Sequence, residues 1–430
     1  MKRRLLILFA IFWFANHLPI LAQTLTLKQN NPTGVYKRGE KIKITALAKA
    51  QANDTLWVKV LKNNNQVIQE KAISPVTDSM MIFEGSSRKP CSIMIDAKLN
   101  GERQVTGTII NPQKLKPGTK RPSDFDAYWK WEKQNMKSLK MEVHSARVEL
   151  EESGYACYDT EINCTGSKPA RGYFAKPEKA KFKSLPIVLL VHAAGVKGSW
   201  CKSKVEDALR YAKMGNGALC FDLNAHGMLN GQPDEYYENL ESGELKNYYA
   251  QGLENREDFY FRGMYLRLLR TIDFLTRQPE WDKKRIIVIG ESQGGGQALA
   301  AAGLDSRVTA VVATVPAMCD FGGTLAGRKG GWPQPFERAA DMEKMKKVLP
   351  YFDAAHLLKN SKATIVVEIG LSDQTCPSTS IYAAINQANG KRIVYPVTYR
   401  EHSWPTAEQR KHWDPMVFNQ KNQFVENFLK

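Results

Sequence analysis

A chain of 430 residues is long enough for two domains, because a single core seldom grows past ~250–300 residues. Its 43% hydrophobic and 24% charged residues, with no low-complexity tract or fixed-period repeat, set aside disordered and solenoid architectures. The formal charge of +17 favours acidic partners such as uronic-acid-bearing polysaccharides or an anionic cell surface. Nucleic acid is set aside, since the lysines are spread along the chain and accompany no recognition motif.

Residues 1–22 stand apart from the rest. Lys2, Arg3 and Arg4 precede the apolar run LLILFAIFWF, which is interrupted by Asn16, His17 and Pro19 before Ala22. That order of charged, apolar and small residues predicts a secretory signal peptide cut near Ala22, and the run is too short and broken for a membrane anchor. The mature protein is then expected to be soluble and periplasmic or secreted. Seven scattered cysteines include none at zinc-site spacing, and a pairing of Cys157 with Cys164 requires a hairpin between them.

Residues 23–112 alternate polar and apolar positions in short segments such as KIKITALA, TLWVKVLK, DSMMIFEG and CSIMIDAKLNG, punctuated by Asn, Asp and Gly. Period-two alternation predicts antiparallel strands, and about 90 residues of it a small all-β, sandwich-like domain. A carbohydrate-binding module, a spacer and an oligomerisation patch all remain open for it. After the linker PQKLKPGTKRPS, Ser123 to Asp126 reads as a capping box, opening a helix with Phe125, Tyr128, Trp129 and Met136 on one face.

Residues 113–430 form the second predicted domain. Beyond β segments between Lys140 and Lys176, apolar runs alternate with helical patterns. The runs are PIVLLVH, GALCFDLN, RIIVIGE, VTAVVATV, ATIVVEIG and KRIVYPV. Such runs suit parallel strands buried on both faces, so this half is predicted to be a doubly wound α/β domain.

Within it, Gly290-Glu291-Ser292-Gln293-Gly294 is a G-x-S-x-G motif. The bare pattern is weak, but RIIVIG before it reads as a strand and QGGGQALAAA after it as a helix. A sharp strand-to-helix turn strains the backbone at the serine, and flanking glycines admit close neighbours. Gly296-Gln297-Ala298 rules out a Walker loop, and the late position in the domain rules out a dinucleotide fingerprint.

A serine nucleophile on such an elbow takes its acid and then its histidine in that chain order. Of the later histidines, His402 follows the last strand pattern, whereas His356 and His412 lie in helical stretches. Asp373 directly follows ATIVVEIGLS; Asp320 also trails a strand. Catalytic groups in open parallel sheets gather at the strands' C-terminal ends, which selects Ser292, Asp373 and His402. The Gln293 N–H is one candidate oxyanion donor, and the other is expected in the turn after PIVLLVH, at His192-Ala193-Ala194-Gly195.

With these residues in place, positions 113–430 resemble the acetyl xylan esterase/cephalosporin C deacetylase family of α/β-hydrolases. The likeness is strongest in RIIVIGESQGGGQALAAAGLDSRVTAVVATVPAMCDF and also visible in LPYFDAAHLL and IGLSDQTCPSTSIYAA. It implies an α/β-hydrolase fold, with Ser292 as nucleophile, Asp373 as acid and His402 as base. The Gln293 and Ala194 N–H groups would be the oxyanion donors. It further implies a serine esterase acting on acetylated carbohydrate or other small esters, with no metal or cofactor, and leaves oligomerisation open. Three departures mark this chain: His192-Ala193-Ala194 replaces His-Gly-Tyr, Asn224-Ala225-His226 replaces Arg-Gly-Gln, and Ser403 replaces a Glu after the base. His192, Asn224 and His226 are therefore candidate substrate-pocket residues, joined by Trp200, Trp332 and Trp404, which lie in predicted loops near this face and could stack on sugar rings.

Overall fold

The computed structural model describes residues 25–51, 53–166, 168–338 and 341–430. The expected signal peptide lies outside the described residues. Eight strands come first: β1 (Leu25–Gln29), β2 (Val35–Tyr36), β3 (Ile42–Ala48), β4 (Leu56–Lys62), β5 (Gln66–Ile73), β6 (Ser79–Gly85), β7 (Cys91–Leu99) and β8 (Glu102–Ile110). They form a three-stranded sheet, β1-β3-β6, and a five-stranded sheet, β2-β8-β7-β4-β5. Alternate residues such as Ile42, Ile44 and Ala46 of β3 and Leu56, Val58 and Val60 of β4 point inward and build one shared apolar core. Asn63 and Asn64 turn the β4–β5 hairpin with φ of 55° and 61°, a left-handed conformation that asparagine tolerates well.

The remaining strands are β9 (Val143–Val148), β10 (Tyr155–Ile162), β11 (Ala170–Pro177), β12 (Leu185–Val191), β13 (Leu219–Asn224), β14 (Trp281–Glu291), β15 (Ala310–Thr314), β16 (Thr364–Gly370) and β17 (Arg392–Val397). They form one sheet in the order β17-β16-β15-β14-β12-β13-β11-β10-β9. From β17 to β13 every pairing is parallel; β11, β10 and β9 add antiparallel strands at the far edge. This is a mostly parallel α/β-hydrolase-type sheet preceded by a β-rich region.

The helices are α1 (Phe125–Ser138), α2 (Val205–Ala212), α3 (Asp234–Ser242), α4 (Tyr260–Leu275), α5 (Gln293–Leu304), α6 (Met342–Val348), α7 (Ala354–Leu357), α8 (Ser378–Ile385), α9 (Ala407–Trp413) and α10 (Asn419–Leu429). Side chains of β12 alternate across the sheet. Ile187, Leu189 and Val191 enter the core shared with α1, α4, α5, α7 and α8, while Val188 and Leu190 enter the one shared with α2 and α10. Both faces are covered, so the central strands are apolar at most positions, and their few polar residues, such as Asp222 and Glu368, are buried with partners.

One local expectation needs correction, and one pairing left open is not made. Helix α1 begins as expected and buries Phe125, Tyr128, Trp129 and Met136, but no capping box forms. Its N-cap residue is Asp124, whose carboxylate takes Arg256 and the Tyr351 hydroxyl, and Asp126 pairs with Arg121. Tertiary cations compete successfully for both carboxylates. Cys157 lies within β10 and Cys164 just past its end, so extended chain, not a hairpin, separates them, and all seven cysteines are free thiols. No helix among the described residues is long and apolar enough to cross a membrane.

Candidate active site

Chain order reverses at β12, which has β13 on one side and β14 on the other. Ligand crevices in open α/β sheets form at such a switch point, beyond the strands' C-terminal ends. Ser292 occupies that place as the single residue between β14 and α5. Its φ of 53° and ψ of −118° fall in a sparsely populated region that costs about 1–3 kcal/mol and persists only when neighbours enforce it. They do so here through three bonds: Ser292 N–H donates to Thr314 O (2.9 Å), and Ser292 O accepts from Gly296 N (3.0 Å) and Ala317 N (2.8 Å). Side chains are also excluded from the elbow. A Cβ at Gly290 would stand 2.4 Å from the Gly294 carbonyl carbon, and one at Gly294 2.3 Å from Val191 O.

Three loops converge on this serine. Ser292 Oγ lies 2.9 Å from His402 Nε2, and His402 Nδ1 lies 2.8 Å from Asp373 Oδ2. The other carboxylate oxygen of Asp373 accepts 2.8 Å bonds from Thr375 N and Cys376 N, so the fully buried carboxylate is fixed at both ends. Asp373 follows β16 and His402 follows β17, each just beyond a parallel strand's C-terminal end. Asp320, the other acid trailing a strand, is committed elsewhere: it accepts from Gly118 N and pairs with Arg328. His356 is buried against Thr119, and burial beside Arg121 pushes its imidazole down to about 4; His412 lies exposed on α9.

Among the described residues, Asp373, Cys376 and His402 bring three potential metal-ligand atoms within 4.8 Å of one another. Both carboxylate oxygens of Asp373 are already engaged, and burial raises the Cys376 thiol well above its ordinary range, away from the thiolate a metal binds. The cluster suits proton handling better than metal binding.

The turn after β12 faces the elbow. As the first residue of α5, Gln293 has an N–H without an intrahelical acceptor. Its side-chain Oε1 accepts a 2.6 Å bond from the Tyr248 hydroxyl, which in turn accepts from Gly195 N at 3.4 Å. His226 grips the same turn, with Nε2 3.0 Å from Gly195 O and Nδ1 2.7 Å from the Tyr260 hydroxyl. Only the Nε2–H tautomer satisfies both contacts. Burial, then the nearby Arg267 charge, hold His226 neutral with its pKa down at about 3. Trp200 donates its indole N–H to Ala194 O (3.0 Å), and Gln297 donates to His192 O (3.3 Å). His192 Nε2 pairs with the buried Asp222 carboxylate.

The other pocket candidates fall in different places. The Asn224 side chain is buried and bonded to Ser203 N, Met228 O and Asn230, so it ties loops together. Trp332 is half-buried against Phe261 and Tyr249. Trp404 is exposed two residues beyond His402, with its edge against Trp413. Sequence reasoning missed Tyr248, Tyr260 and Asn64. Neither tyrosine sits in a motif, and the Asn64 contact to Asp373 spans 309 residues. It also missed the buried cluster in which Glu368 accepts from Arg400, Trp413 and Lys421 beneath Glu291. Charged residues within apolar strand patterns were its only signal.

The acetyl xylan esterase (AXE1) family model matches residues 110–413. The chain belongs to the acetyl xylan esterase family. Among characterised proteins it is similar to the acetyl esterase Axe7A of Xylanibacter ruminicola, at 30% identity over 88% of this chain and 86% of that one. Among solved structures it resembles the acetyl xylan esterase of Paenibacillus sp. R4 (TM-score 0.61, 25% identity, covering 74% of this chain and 98% of that one). Acetyl xylan esterase 1 of Thermoanaerobacterium sp. JW/SL YS485 shares the fold (TM-score 0.60, 21% identity, 74% and 98% coverage). The protein is therefore a carboxylic ester hydrolase, and its family supports acetyl ester hydrolysis. In this esterase the family match begins at residue 110, the last residue of β8, so β1–β7 and the rest of β8 precede it.

Proposed function

We propose that this is an exported serine esterase that removes acetyl groups from acetylated plant-type polysaccharides or oligosaccharides through an acyl-enzyme. The observation that carries the reading is the continuous line Ser292 Oγ–His402 Nε2 (2.9 Å) and His402 Nδ1–Asp373 Oδ2 (2.8 Å), built on a strained elbow. With Nδ1–H donated to Asp373, Nε2 is free to accept the serine proton. Ser292 Oγ then attacks the ester carbonyl, and Asp373 steadies the imidazolium that forms. The N–H groups of Gln293 and Ala194 receive the developing oxyanion, preorganised donors of a kind worth about 10²–10³ in rate each. The imidazolium returns its proton to the departing alkoxide, and water repeats the sequence on the acyl group.

The acetyl preference is supported by the family and by the relative named an acetyl esterase. Export rests on the charged and apolar order of residues 1–22, which belong to neither the β-rich domain (23–112) nor the catalytic domain (113–430). Without Lys2, Arg3 and Arg4 of that segment the formal charge falls from +17 to +14, which still suits an acidic glycan.

Hydrolysis of p-nitrophenyl acetate by wild type, and loss of it by about 10⁴-fold or more in Ser292→Ala, is the expected result. Equal rates would sink the nucleophile assignment. Acetylated xylan, other acetylated glycans, longer acyl esters and aminoacyl-anilides then rank substrates. Faster cleavage of the anilides would make the protein a short-domain serine peptidase instead.

A further inference from the structure

We infer that the N-terminal β region is a working part of the active site, a brace that sets where Asp373 and His402 stand. This rests on the triad reading above. The contacts come from strands and turns that precede residue 110, outside the segment matched by the family.

The first contact is made by the tip of the β4–β5 hairpin. Asn64 is buried, and its Nδ2 donates to the backbone carbonyl of Asp373 at 3.0 Å. Its Oδ1 accepts from Ser92 Oγ on β7 at 3.0 Å, which fixes the amide's orientation. The left-handed φ of 61° at Asn64 is what aims this short side chain out of the hairpin.

The second contact is backbone on backbone. Gly107 of β8 donates its N–H to Thr398 O at 2.7 Å, and Ser372 Oγ donates to that same carbonyl at 2.8 Å. One oxygen atom thus joins the β region, the turn before the acid and the loop leading to the base. A Cβ at Gly107 would lie 2.0 Å from Leu371 O, so only glycine permits the approach. The third contact is a fork: Arg103 donates through both terminal nitrogens to Glu401 at 3.0–3.1 Å while its Nε holds Asp96. Glu401 directly precedes His402.

These contacts bracket the acid at residues 371–373 and the base at residues 398–402. An exposed ion pair such as Arg103–Glu401 stabilises a fold by only ~0–1 kcal/mol, so overall stability is a weak account of it. Geometry is a better one, because a ~1 Å misplacement of a catalytic group can cost about 10²-fold in rate. Asn64, Gly107 and Arg103 are positioning residues that act through the backbone of others.

The test compares neighbours on one hairpin in the full chain. Asn64→Gly keeps the left-handed turn and removes the donor, while Asn64→Asp keeps the shape but turns an acceptor toward the Asp373 carbonyl. Asn63→Gly is the control: it removes bonds to Gly327 O (3.3 Å) and from Ser92 N (3.2 Å), both away from the acid and base, and leaves the Ser92 hydroxyl on Asn64. Both Asn64 variants should lose about 10–100-fold in kcat on p-nitrophenyl acetate with KM unchanged within about twofold. Asn63→Gly should keep kcat within about twofold. If one Asn64 variant does not fold, the other and the exposed Arg103→Ala, expected to lose about 3–10-fold in kcat, still decide. Full kcat in the folded Asn64 variants, or an equal loss in Asn63→Gly, would overturn the brace while an inactive Ser292→Ala leaves the triad standing. Should Ser292→Ala stay active, the triad assignment falls and the brace with it.

Discussion

The two sides of the candidate site are both made of irregular backbone, yet they are held in opposite ways. The turn His192–Gly195 leaves β12 in the middle of the sheet, where α5 and the Tyr248–Tyr260 segment surround it. The loops bearing Asp373 and His402 leave β16 and β17, and β17 is an edge strand. Turns in the middle are secured by side chains of their own domain, through aromatic hydroxyls and a neutral histidine. Turns toward the edge have Glu368 and Glu291 holding Arg400 from their own sheet, and take further support from a separate one. The lesson is that position in a sheet predicts where support must come from, even when the chemistry of the two sides is joined at one serine.

The sharpest break of this comparison is at the acid. Asp373→Asn keeps the shape of the side chain but disturbs the tautomer of His402, and kcat should fall about 10⁴-fold with the fold retained. A loss under tenfold would remove Asp373 from the chemistry and leave only a structural carboxylate. On the other side, Tyr248→Phe removes one hydroxyl and leaves the buried Gln293 Oε1 and Gly195 N without their shared partner. A tenfold lower kcat and a loss of about 1–3 kcal/mol in urea unfolding are expected together. Unchanged kcat with reduced stability would make Tyr248 a packing residue only.

Acid tests whether the side built on the turn after β12 is the weaker one. His226 has its pKa depressed to about 3 from an unfolded value near 6.5, so the unfolded chain binds more protons between those limits. Its contribution is present above pH 6.5 and is lost as pH falls, at about 1.4 kcal/mol per unit. His356, at about 4, acts in the same direction. Unfolding free energy measured from pH 7 to 5 should therefore fall in wild type and fall less steeply in His226→Gln; parallel slopes would refute a neutral, buried His226. The smallest effect is expected at Trp200, which is exposed beside Ala194. Trp200→Ala should lower kcat/KM on acetylated xylan by about threefold and leave p-nitrophenyl acetate untouched. Equal losses on both substrates would place the indole in the oxyanion turn's support instead of on the sugar.

Much of this was legible in the sequence, for identifiable reasons. The parallel strands announce themselves because burial on both faces disfavours polar positions, and Ser292, Asp373 and His402 are legible because each must follow a strand. Helix α1 was legible as a helix but not at its cap, because Arg256 and Tyr351 reach Asp124 from elsewhere in the chain and Arg121 of the linker takes Asp126. Asn224 and His226 looked alike as departures in one short stretch. Only His226 reaches the turn after β12, since it lies just beyond β13 while Asn224 ends the strand and bonds to flanking loops. Asn64 carried no signal at all, because a polar residue at a hairpin tip is ordinary until something folds against it.

The glycines that admit neighbours to the elbow also make it depend on them. Helix α5 carries Gly294, Gly295, Gly296 and Gly303, each costing a helix about 1 kcal/mol relative to alanine, so its sequence does not favour the helical state on its own. In the fold Val191, Pro316, Ala317 and Leu357 pack directly against those glycines. The strained backbone at Ser292 therefore takes its shape from its packing partners as much as from its own sequence. On gentle destabilisation, amide exchange at the start of α5 and loss of esterase activity should both precede the melting of the sheet.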